Sequence, residues 1–294
     1  MLAKKLCAES KVIVVSPSYG VKISNRQYFL KAIDFLGRNF KLEKFNEEFV
    51  ENDKSFSLEY RIKVFNDALR YDAVLFSSGG RGAKDLLPYI EYGSVVRNKP
   101  LFFGFSDHTY LLNVISLKTG LVTFHGADVA FGLGKFLSDD VTKHFMDMLS
   151  LGVIDKQNFV EDNVLVSGFA KGILFGGNME CFIDLIDSDL FVPTGPVIVF
   201  VESLLLHQEE FLPSLKRLFS KKWSNLIKGL IIGHFNLIPS NRLDLDVVSL
   251  GLKIPVIHVD WIGHVPNYKI LPIGLLCSVN TKNKSINFLA NYLE

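Results

Sequence analysis

The stretch Pro100-Leu101-Phe102-Phe103-Gly104-Phe105-Ser106-Asp107 decides the fold of this chain. Its apolar run predicts a short buried strand, and the helical pattern that starts at His108 predicts a helix directly after it. A serine at such a junction lies on a sharp turn, with its hydroxyl beside the first unpaired N–H groups of the helix. Ser106 is therefore either the N-cap of this helix or a presented nucleophile. The tetrapeptide that starts at Gly104 favours the cap when it is considered alone.

The composition is that of a fully folded protein with a large core. Of the 294 residues, 48% are hydrophobic and 21% are charged, and 32 basic residues balance 31 acidic ones to a net charge of +1. A chain of this length accommodates two domains. Because a net charge near zero attracts neither nucleic acid nor an anionic membrane, we expect neither of them as a partner.

The cysteines and the N-terminus indicate the compartment. Cys7, Cys181 and Cys277 form neither a disulfide framework nor a C-x-x-C motif, which favours thiols in a reducing environment. The first ten residues carry no apolar run of signal-peptide length. The most apolar region, 190–206, is interrupted by prolines, a glycine and an acid, unlike a membrane span. We therefore expect a cytoplasmic protein.

The first 130 residues alternate short apolar runs with longer helical patterns. This alternation predicts a parallel sheet with helices on both faces. Ligands bind beyond the carboxyl ends of the strands in such sheets, where the sequence places both Ser106 and the turn Gly79-Gly80-Arg81-Gly82. The predicted strands are 12–15, 41–45, 73–76, 100–103 and 121–125, and the predicted helices are 27–36, 58–69, 83–90 and 108–117.

The pattern changes after a polar stretch between residues 132 and 163. We assign 1–135 to an N-terminal domain that contains Ser106, 136–163 to a linker and 164–294 to a C-terminal domain. Longer and more frequent strands in the last segment predict a mixed or barrel-like sheet. The predicted strands are 164–175, 197–201, 230–235, 255–259 and 270–279, with helices at 179–186 and 211–219.

A serine nucleophile needs a base, a carboxylate that orients the base, and N–H donors for the oxyanion. His264 lies in a loop between Gly263 and Pro266, although a structural, partly buried histidine is the alternative. Glu202 ends the apolar run 197–201, where an acid needs either solvent or a partner. Because the sequence has no H-E-x-x-H or comparable cluster, we expect no metal and no cofactor.

Seven motifs occur in order and resemble those of the LD-carboxypeptidase family of serine peptidases, which also includes the microcin C immunity hydrolases. Each motif is weak alone, but the ordered set spans about residues 12–281 and favours the nucleophile over the cap at Ser106. The motifs are Gly79-Gly80-Arg81-Gly82, Gly104-Phe105-Ser106-Asp107-His108-Thr109, Gly172-Ile173-Leu174-Phe175-Gly176-Gly177-Asn178, Phe200-Val201-Glu202, Gly229-Leu230-Ile231-Ile232-Gly233, Gly263-His264-Val265-Pro266-Asn267 and Leu271-Pro272-Ile273-Gly274.

The resemblance implies a fold and a catalytic triad. It implies an α/β protein in which a flavodoxin-like N-terminal domain carries Ser106. A β-rich, barrel-like α+β C-terminal domain carries Glu202 and His264, and the active site lies in the cleft between the domains. The resemblance also implies catalysis without metal by an enzyme that is often a homodimer.

The surroundings of the serine can be assigned from the same motifs. The Asp107 amide at the helix start is one expected oxyanion donor, and an amide of Gly80 or Arg81 is the second. Arg81 stands where the family often has an aromatic or small polar residue. A guanidinium can hold a carboxylate with two hydrogen bonds, so we expect Arg81 to bind a carboxylate of the substrate, with a solvated loop arginine as the alternative.

The resemblance implies one of two activities. The first is a serine carboxypeptidase that cuts an L-to-D bond and releases terminal D-alanine from murein tetrapeptides in cell-wall recycling. The second is an immunity-type hydrolase that cleaves a peptidyl or aminoacyl nucleotide amide, although the 61 residues between Glu202 and His264 leave little room for a nucleotide pocket. A non-catalytic ligand-binding descendant is the third possibility, and the intact triad argues against it.

Overall fold

The computed structural model describes residues 1–43, 49–152, 156–291 and 293. The chain divides into two compact units. The first comprises Met1–Val153, Lys269–Pro272 and Asn291–Glu294, and the second comprises Ile154–Tyr268 and Ile273–Ala290. None of the helices that the structure describes has the length and apolar character of a membrane span.

Short strands alternate with helices along both units. The strands are β1 (Lys11–Val15), β2 (Lys41–Leu42), β3 (Ala73–Phe76), β4 (Leu101–Gly104), β5 (Thr123–His125), β6 (Gln157–Asn158), β7 (Val164–Val166), β8 (Phe169–Asn178), β9 (Val197–Ser203), β10 (Ile227–Phe235), β11 (Val256–His258), β12 (Leu271–Ile273), β13 (Leu276–Asn280) and β14 (Ser285–Phe288). The α-helices are α1 (Arg26–Asn39), α2 (Leu58–Ala68), α3 (Tyr92–Asn98), α4 (Thr109–Thr119), α5 (Asp139–Met146), α6 (Met179–Asp187), α7 (Gln208–Phe219) and α8 (Ser240–Ser249).

The first unit contains the predicted parallel sheet. Among the described residues its strands run in the order β12-β5-β4-β3-β1-β2, and each neighbouring pair from β5 to β2 is parallel. The order β2-β1-β3-β4-β5 is the flavodoxin-like order. Strands β3 and β4 are buried along their whole length, as expected where helices cover both faces of a parallel sheet. The flavodoxin-like prediction is therefore confirmed.

Aromatic packing fixes the two strands that precede the loops of interest. Phe65 of α2 stacks on Phe102 of β4 at a centroid distance of 6.1 Å, and on Phe76 of β3 at 6.3 Å. All three side chains are at most 2% exposed. Burial of one such ring stabilises the fold by about 2 to 3 kcal/mol, so the ends of β3 and β4 are held firmly.

The second unit is β-rich, as predicted. Its described strands form one sheet in the order β6-β14-β13-β8-β9-β10-β11-β7. The central strands β8 to β11 are parallel, and antiparallel strands flank them on both sides. Every residue of β9 is buried, including Glu202. The central strand therefore carries an acid into the interior.

Two predicted strands are divided in the structure. The predicted strand 164–175 becomes β7 and β8, because Gly168 exchanges hydrogen bonds with Thr281 between them. The predicted strand 270–279 becomes β12 and β13, which turn at Gly274 with a φ of +85° and join different sheets. The predicted helix 83–90 is a 3-10 helix, Ala83–Tyr89. The predicted strand 41–45 is β2 at its start, and residues 44 and 45 lie outside the described residues.

Candidate active site

Ser106 follows β4 and opens a 3-10 turn that leads into α4. Its φ is +58°, in the left-handed region that costs a non-glycine residue about 1 to 2 kcal/mol. Such strain persists only where the surroundings fix the backbone, and it concentrates at functional sites. The half-buried serine therefore lies on the sharp strand-to-helix turn that the sequence predicts, and its backbone there is strained, as in a nucleophile elbow.

Asp107 anchors the turn through its side chain. The carboxylate is 5% exposed and accepts hydrogen bonds from Ser18 Oγ at 2.6 Å and from the Ala83 amide at 2.9 Å. Burial raises the pKa of the Asp107 carboxyl, and these two hydrogen bonds oppose the rise. The residue after the serine is thus tied to two other loops at the carboxyl end of the sheet.

His108 is fully buried beneath the same turn. Its Nε2 donates to the Ser78 carbonyl at 3.0 Å, and its ring lies 4.6 Å from the ring of Phe76. Burial lowers the pKa of His108 from 6.5 to about 3, so the ring is neutral at pH 7. A Cβ at Gly104 would lie 2.4 Å from the Phe76 ring and 2.9 Å from His108 Nδ1, which explains the glycine there.

The turn at residues 79–82 lies against the serine. A Cβ at Gly79 would be 3.2 Å from both Cβ and Oγ of Ser106, so only a glycine backbone comes this close without displacing the serine. Gly80 has a φ of +124°, and a Cβ there would lie 2.2 Å from the Tyr19 ring. In the described part of the chain, no acceptor binds the amides of Gly80 and Arg81. The side chain of Arg81 is exposed.

Glu202 and His264 form a buried pair in the second unit. Glu202 lies at the carboxyl end of β9 and is 0% exposed, and the side chain of His264 is 5% exposed. Because a carboxylate only accepts, His264 Nδ1 donates to Glu202 Oε2, at 2.8 Å. This bond fixes the tautomer and leaves the Nε2 lone pair of His264 as the basic position.

The loop of the histidine is shaped by its preceding glycine. Gly263 has a φ of +116°, and a Cβ there would lie 2.8 Å from Glu202 Oε2 and 3.0 Å from Glu202 Cβ. A side chain at this position would therefore push directly against the carboxylate. The glycine lets the backbone before His264 approach Glu202 closely enough for the pair to form.

The predicted site residues fall into two groups. Ser106, Asp107 and the Gly80–Arg81 turn belong to the first unit, and the Glu202–His264 pair belongs to the second. Sequence reasoning missed Asp128, whose Oδ2 accepts from the Gly79 amide at 3.0 Å. Its only sequence signal is an acid shortly after a predicted strand. Among the residues that the structure describes, no group of three or more His, Cys, Asp and Glu side chains could hold a metal ion.

Comparison with known proteins identifies the family of this chain. The model of the LD-carboxypeptidase N-terminal domain matches residues 12–126, and that of the LD-carboxypeptidase C-terminal domain matches residues 171–279. YocD of Bacillus subtilis (strain 168), which is named as a carboxypeptidase, is 26% identical over 321 residues, covering 95% of this chain and 96% of YocD. The microcin C7 self-immunity protein MccF of Escherichia coli is 24% identical over 341 residues, covering 100% of this chain and 97% of MccF.

Solved structures support the same fold. A mutant of MccF in complex with adenosine monophosphate superposes with a TM-score of 0.88 at 22% identity and covers 100% of both chains. MccF in complex with glutamyl sulfamoyl guanosine superposes with a TM-score of 0.87 at 21% identity, covering 100% of this chain and 99% of the other. With both family models matched in order along its length, the chain belongs to the LD-carboxypeptidase family of peptidases.

Proposed function

We propose that this protein is a serine carboxypeptidase that hydrolyses an L-to-D peptide bond and releases terminal D-alanine from murein tetrapeptides. The observation that carries the proposal is the buried Glu202–His264 pair, with 2.8 Å between Oε2 and Nδ1. In a serine triad the base is a histidine whose tautomer is fixed by a buried carboxylate, and this pair has that arrangement. Ser106, on its strained turn after β4, supplies the nucleophile.

The reaction proceeds by acyl transfer. His264 Nε2 takes the proton of Ser106 as Oγ attacks the scissile carbonyl carbon, while Glu202 stabilises the imidazolium. The imidazolium then gives its proton to the nitrogen of the leaving D-alanine, and the peptide remains as an ester on Ser106. A water molecule, activated by the same base, attacks this ester and restores the serine hydroxyl.

Backbone amides stabilise the oxyanion in this mechanism. The Asp107 amide is one donor, and an amide of Gly80 or Arg81 is the second. The close approach of Gly79 to Ser106 Oγ supports this assignment, because it brings the following amides to the side of the serine. Pre-positioned donors of this kind each contribute about 3 to 4 kcal/mol to transition-state stabilisation. The mechanism needs neither a metal nor a cofactor.

A second candidate is an immunity-type hydrolase of aminoacyl or peptidyl nucleotide amides. MccF structures in complex with aspartyl sulfamoyl adenosine and with glutamyl sulfamoyl guanosine favour it. The names of two relatives favour the first candidate. YocD is named as a carboxypeptidase, and a second Bacillus subtilis protein, 28% identical over 234 residues, is named as a murein peptide carboxypeptidase. The same three residues serve both, since each reaction transfers an acyl group to serine.

The deciding experiment offers both substrates to the purified protein. Free D-alanine is measured after incubation with murein tetrapeptide, and free amino acid after incubation with an aminoacyl sulfamoyl adenosine. We expect a kcat/KM at least about 100-fold higher on the tetrapeptide, corresponding to about 3 kcal/mol of discrimination. Preference for the nucleoside would replace the first candidate by the second. A parallel incubation with EDTA should retain full rate.

The proposal includes a cellular setting. We place the enzyme in the cytoplasm, acting on small muropeptides during cell-wall recycling as a homodimer, as the family resemblance implies. Sedimentation equilibrium of the purified protein measures the oligomeric state. A mass of twice 33.1 kDa is expected, and a mass of 33.1 kDa at micromolar concentration would contradict the dimer.

A further inference from the structure

Three segments hold the backbone that leads into the Gly80–Arg81 turn. Each carbonyl of residues 77, 78 and 79 accepts a hydrogen bond from a different part of the first unit. The donors are the Ala130 amide to Ser77 at 2.9 Å, His108 Nε2 to Ser78 at 3.0 Å and the Tyr19 amide to Gly79 at 3.3 Å. The approach to the turn is therefore fixed, in contrast to the amides of the turn itself.

Asp128 completes this set by binding the Gly79 amide. The residue is 2% exposed and precedes a π-helix, Val129–Gly134. Its Oδ1 accepts from the amides of Phe131 at 2.7 Å and Gly132 at 2.9 Å, as an N-cap does. Its Oδ2 accepts from the Gly79 amide at 3.0 Å. One oxygen thus caps a helix, and the other binds the backbone of a loop 49 residues earlier in the chain.

We infer that Asp128 is a positioning residue for the oxyanion site, because its carboxylate holds the N–H of the Ser78–Gly79 peptide, the peptide immediately before the one that carries the Gly80 amide. This inference rests on the proposed function, since it takes the amides of Gly80 and Arg81 as oxyanion donors. A carboxylate oxygen can only accept, so it holds the Gly79 N–H in one orientation. The peptide planes that follow Gly79 are then presented beside Ser106 in one arrangement.

The expected effect is on the transition state. An oxyanion donor acts only within about 2.7 to 3.1 Å of the oxygen, and a displacement of about 1 Å costs on the order of 100-fold in rate. Loss of the Asp128 contact leaves the Ser78–Gly79 peptide held only at its carbonyl, by His108, so the peptide can tilt without the removal of any donor. We therefore expect a lower kcat with little change in KM, because ground-state binding does not use the oxyanion donors.

Two variants separate the loop contact from the helix cap. Asp128→Asn retains one oxygen for the cap and turns an NH₂ group toward the Gly79 amide, so two donors face each other. Asp128→Ser is a preferred N-cap whose short side chain does not reach Gly79. Ser138→Ala is the matched control, because Ser138 Oγ caps α5 by accepting from the Val141 amide and, among the described residues, forms no hydrogen bond with the turn at residues 79–82.

The readout is covalent labelling of Ser106 with a fluorophosphonate. In this reaction Ser106 gives its hydroxyl proton to His264 Nε2, Ser106 Oγ bonds to phosphorus, fluoride leaves, and the phosphoryl oxygen occupies the oxyanion site. We expect Asp128→Asn and Asp128→Ser to lower the second-order labelling rate by about 10- to 100-fold, with kcat for D-alanine release falling in parallel and KM within about threefold. Ser138→Ala should label at the rate of the original protein.

Labelling does not depend on the natural substrate, so the two proposals can fail separately. If the protein labels but releases no D-alanine, the proposed carboxypeptidase fails and Asp128 is still tested. If both Asp128 variants label at the original rate, the positioning role is overturned. Loss of the folded state in both variants would also overturn it, because Asp128 would then serve the stability of the turn.

Discussion

His264 donates its Nδ1 proton to Glu202 Oε2 over 2.8 Å, and neither side chain is more than 5% exposed. Water competes weakly for this hydrogen bond, so the carboxylate holds the ring in one tautomer. A buried carboxylate also favours the imidazolium that forms when the ring accepts a proton. The relationship therefore fixes the histidine in the tautomer that the proposed base requires, before any substrate binds.

Glu202→Gln tests the orienting role. The amide can no longer stabilise an imidazolium, so we expect kcat to fall by about 100-fold or more, with KM within about threefold. Steady-state kinetics with murein tetrapeptide measure both constants. Glu180→Gln is the control in the same unit: Glu180 Oε1 accepts from Ser203 Oγ at 2.9 Å, and its charge acts on Glu202 through space, so this variant changes the charge near Glu202 without removing the Glu202–His264 hydrogen bond. An equal loss in both variants would contradict the special role of Glu202.

Gly263→Ala tests whether the close approach of the Gly263 backbone to Glu202 is needed for the Glu202–His264 pair. The added Cβ would lie 2.8 Å from Glu202 Oε2, so we expect the pair to be displaced and kcat to fall by about 10-fold or more. Gly251→Ala is the control, because its φ is also positive, +59°, and nothing lies within 4 Å of its Cβ. Gly251→Ala should lose about 1 kcal/mol of unfolding free energy from strain, and Gly263→Ala should lose more, because its φ of +116° lies beyond the left-handed helical region and its Cβ meets Glu202. Full activity in Gly263→Ala would contradict the close contact.

The burial of His108 predicts a pH dependence of stability. Its pKa is lowered from 6.5 to about 3, so between these values the unfolded chain binds a proton that the native protein excludes. The free energy of unfolding therefore falls as the pH drops through this window. For this residue the loss is about 2 to 3 kcal/mol between pH 6.5 and pH 4.5.

Urea unfolding of the original protein and of His108→Gln measures this loss. The substitution removes the titrating ring, so its free energy of unfolding should decline less over the same pH interval, whatever its value at pH 7. Parallel declines in the two proteins would show that the pKa of His108 is not lowered in the native state.

The local sequence pattern was sufficient to predict the parallel sheet and the turn at Ser106. Runs such as Ala73–Phe76 and the residues before Ser106 are too short and too apolar for anything but buried strands, and glycine or serine ends each one. A strand end followed by a helical pattern then defines the junction at Ser106. The pairing of Glu202 with His264 was implied by the family resemblance rather than by spacing.

Long-range contacts lay beyond the sequence pattern. Asp128 and Gly79 are 49 residues apart, and His108 and Ser78 are 30 apart, so no local propensity reports their hydrogen bonds. The division of the predicted strand 270–279 at Gly274 was also missed, because an apolar run looks the same on either side of a turn. Only tertiary structure decides which sheet each half joins.

Arg81 is expected to hold the terminal carboxylate of the substrate. Arg81→Ala should lower kcat/KM by about 10-fold or more on a free tetrapeptide and leave the rate on its C-terminal amide unchanged. Arg81→Lys keeps the charge but cannot form two parallel hydrogen bonds, so its kcat/KM on the free tetrapeptide should lie between those of Arg81→Ala and the original protein. Equal losses on the free acid and on the amide would rule out this carboxylate contact.

One measurement tests the central claim most directly: the release of D-alanine from murein tetrapeptide, compared among the original protein, Ser106→Ala and His264→Ala. We expect release by the original protein and a loss of at least about 10³-fold in kcat in each variant, with unchanged circular dichroism. The two losses should not add in the double variant, because the residues act as one unit. Near-normal release by Ser106→Ala would contradict the serine mechanism.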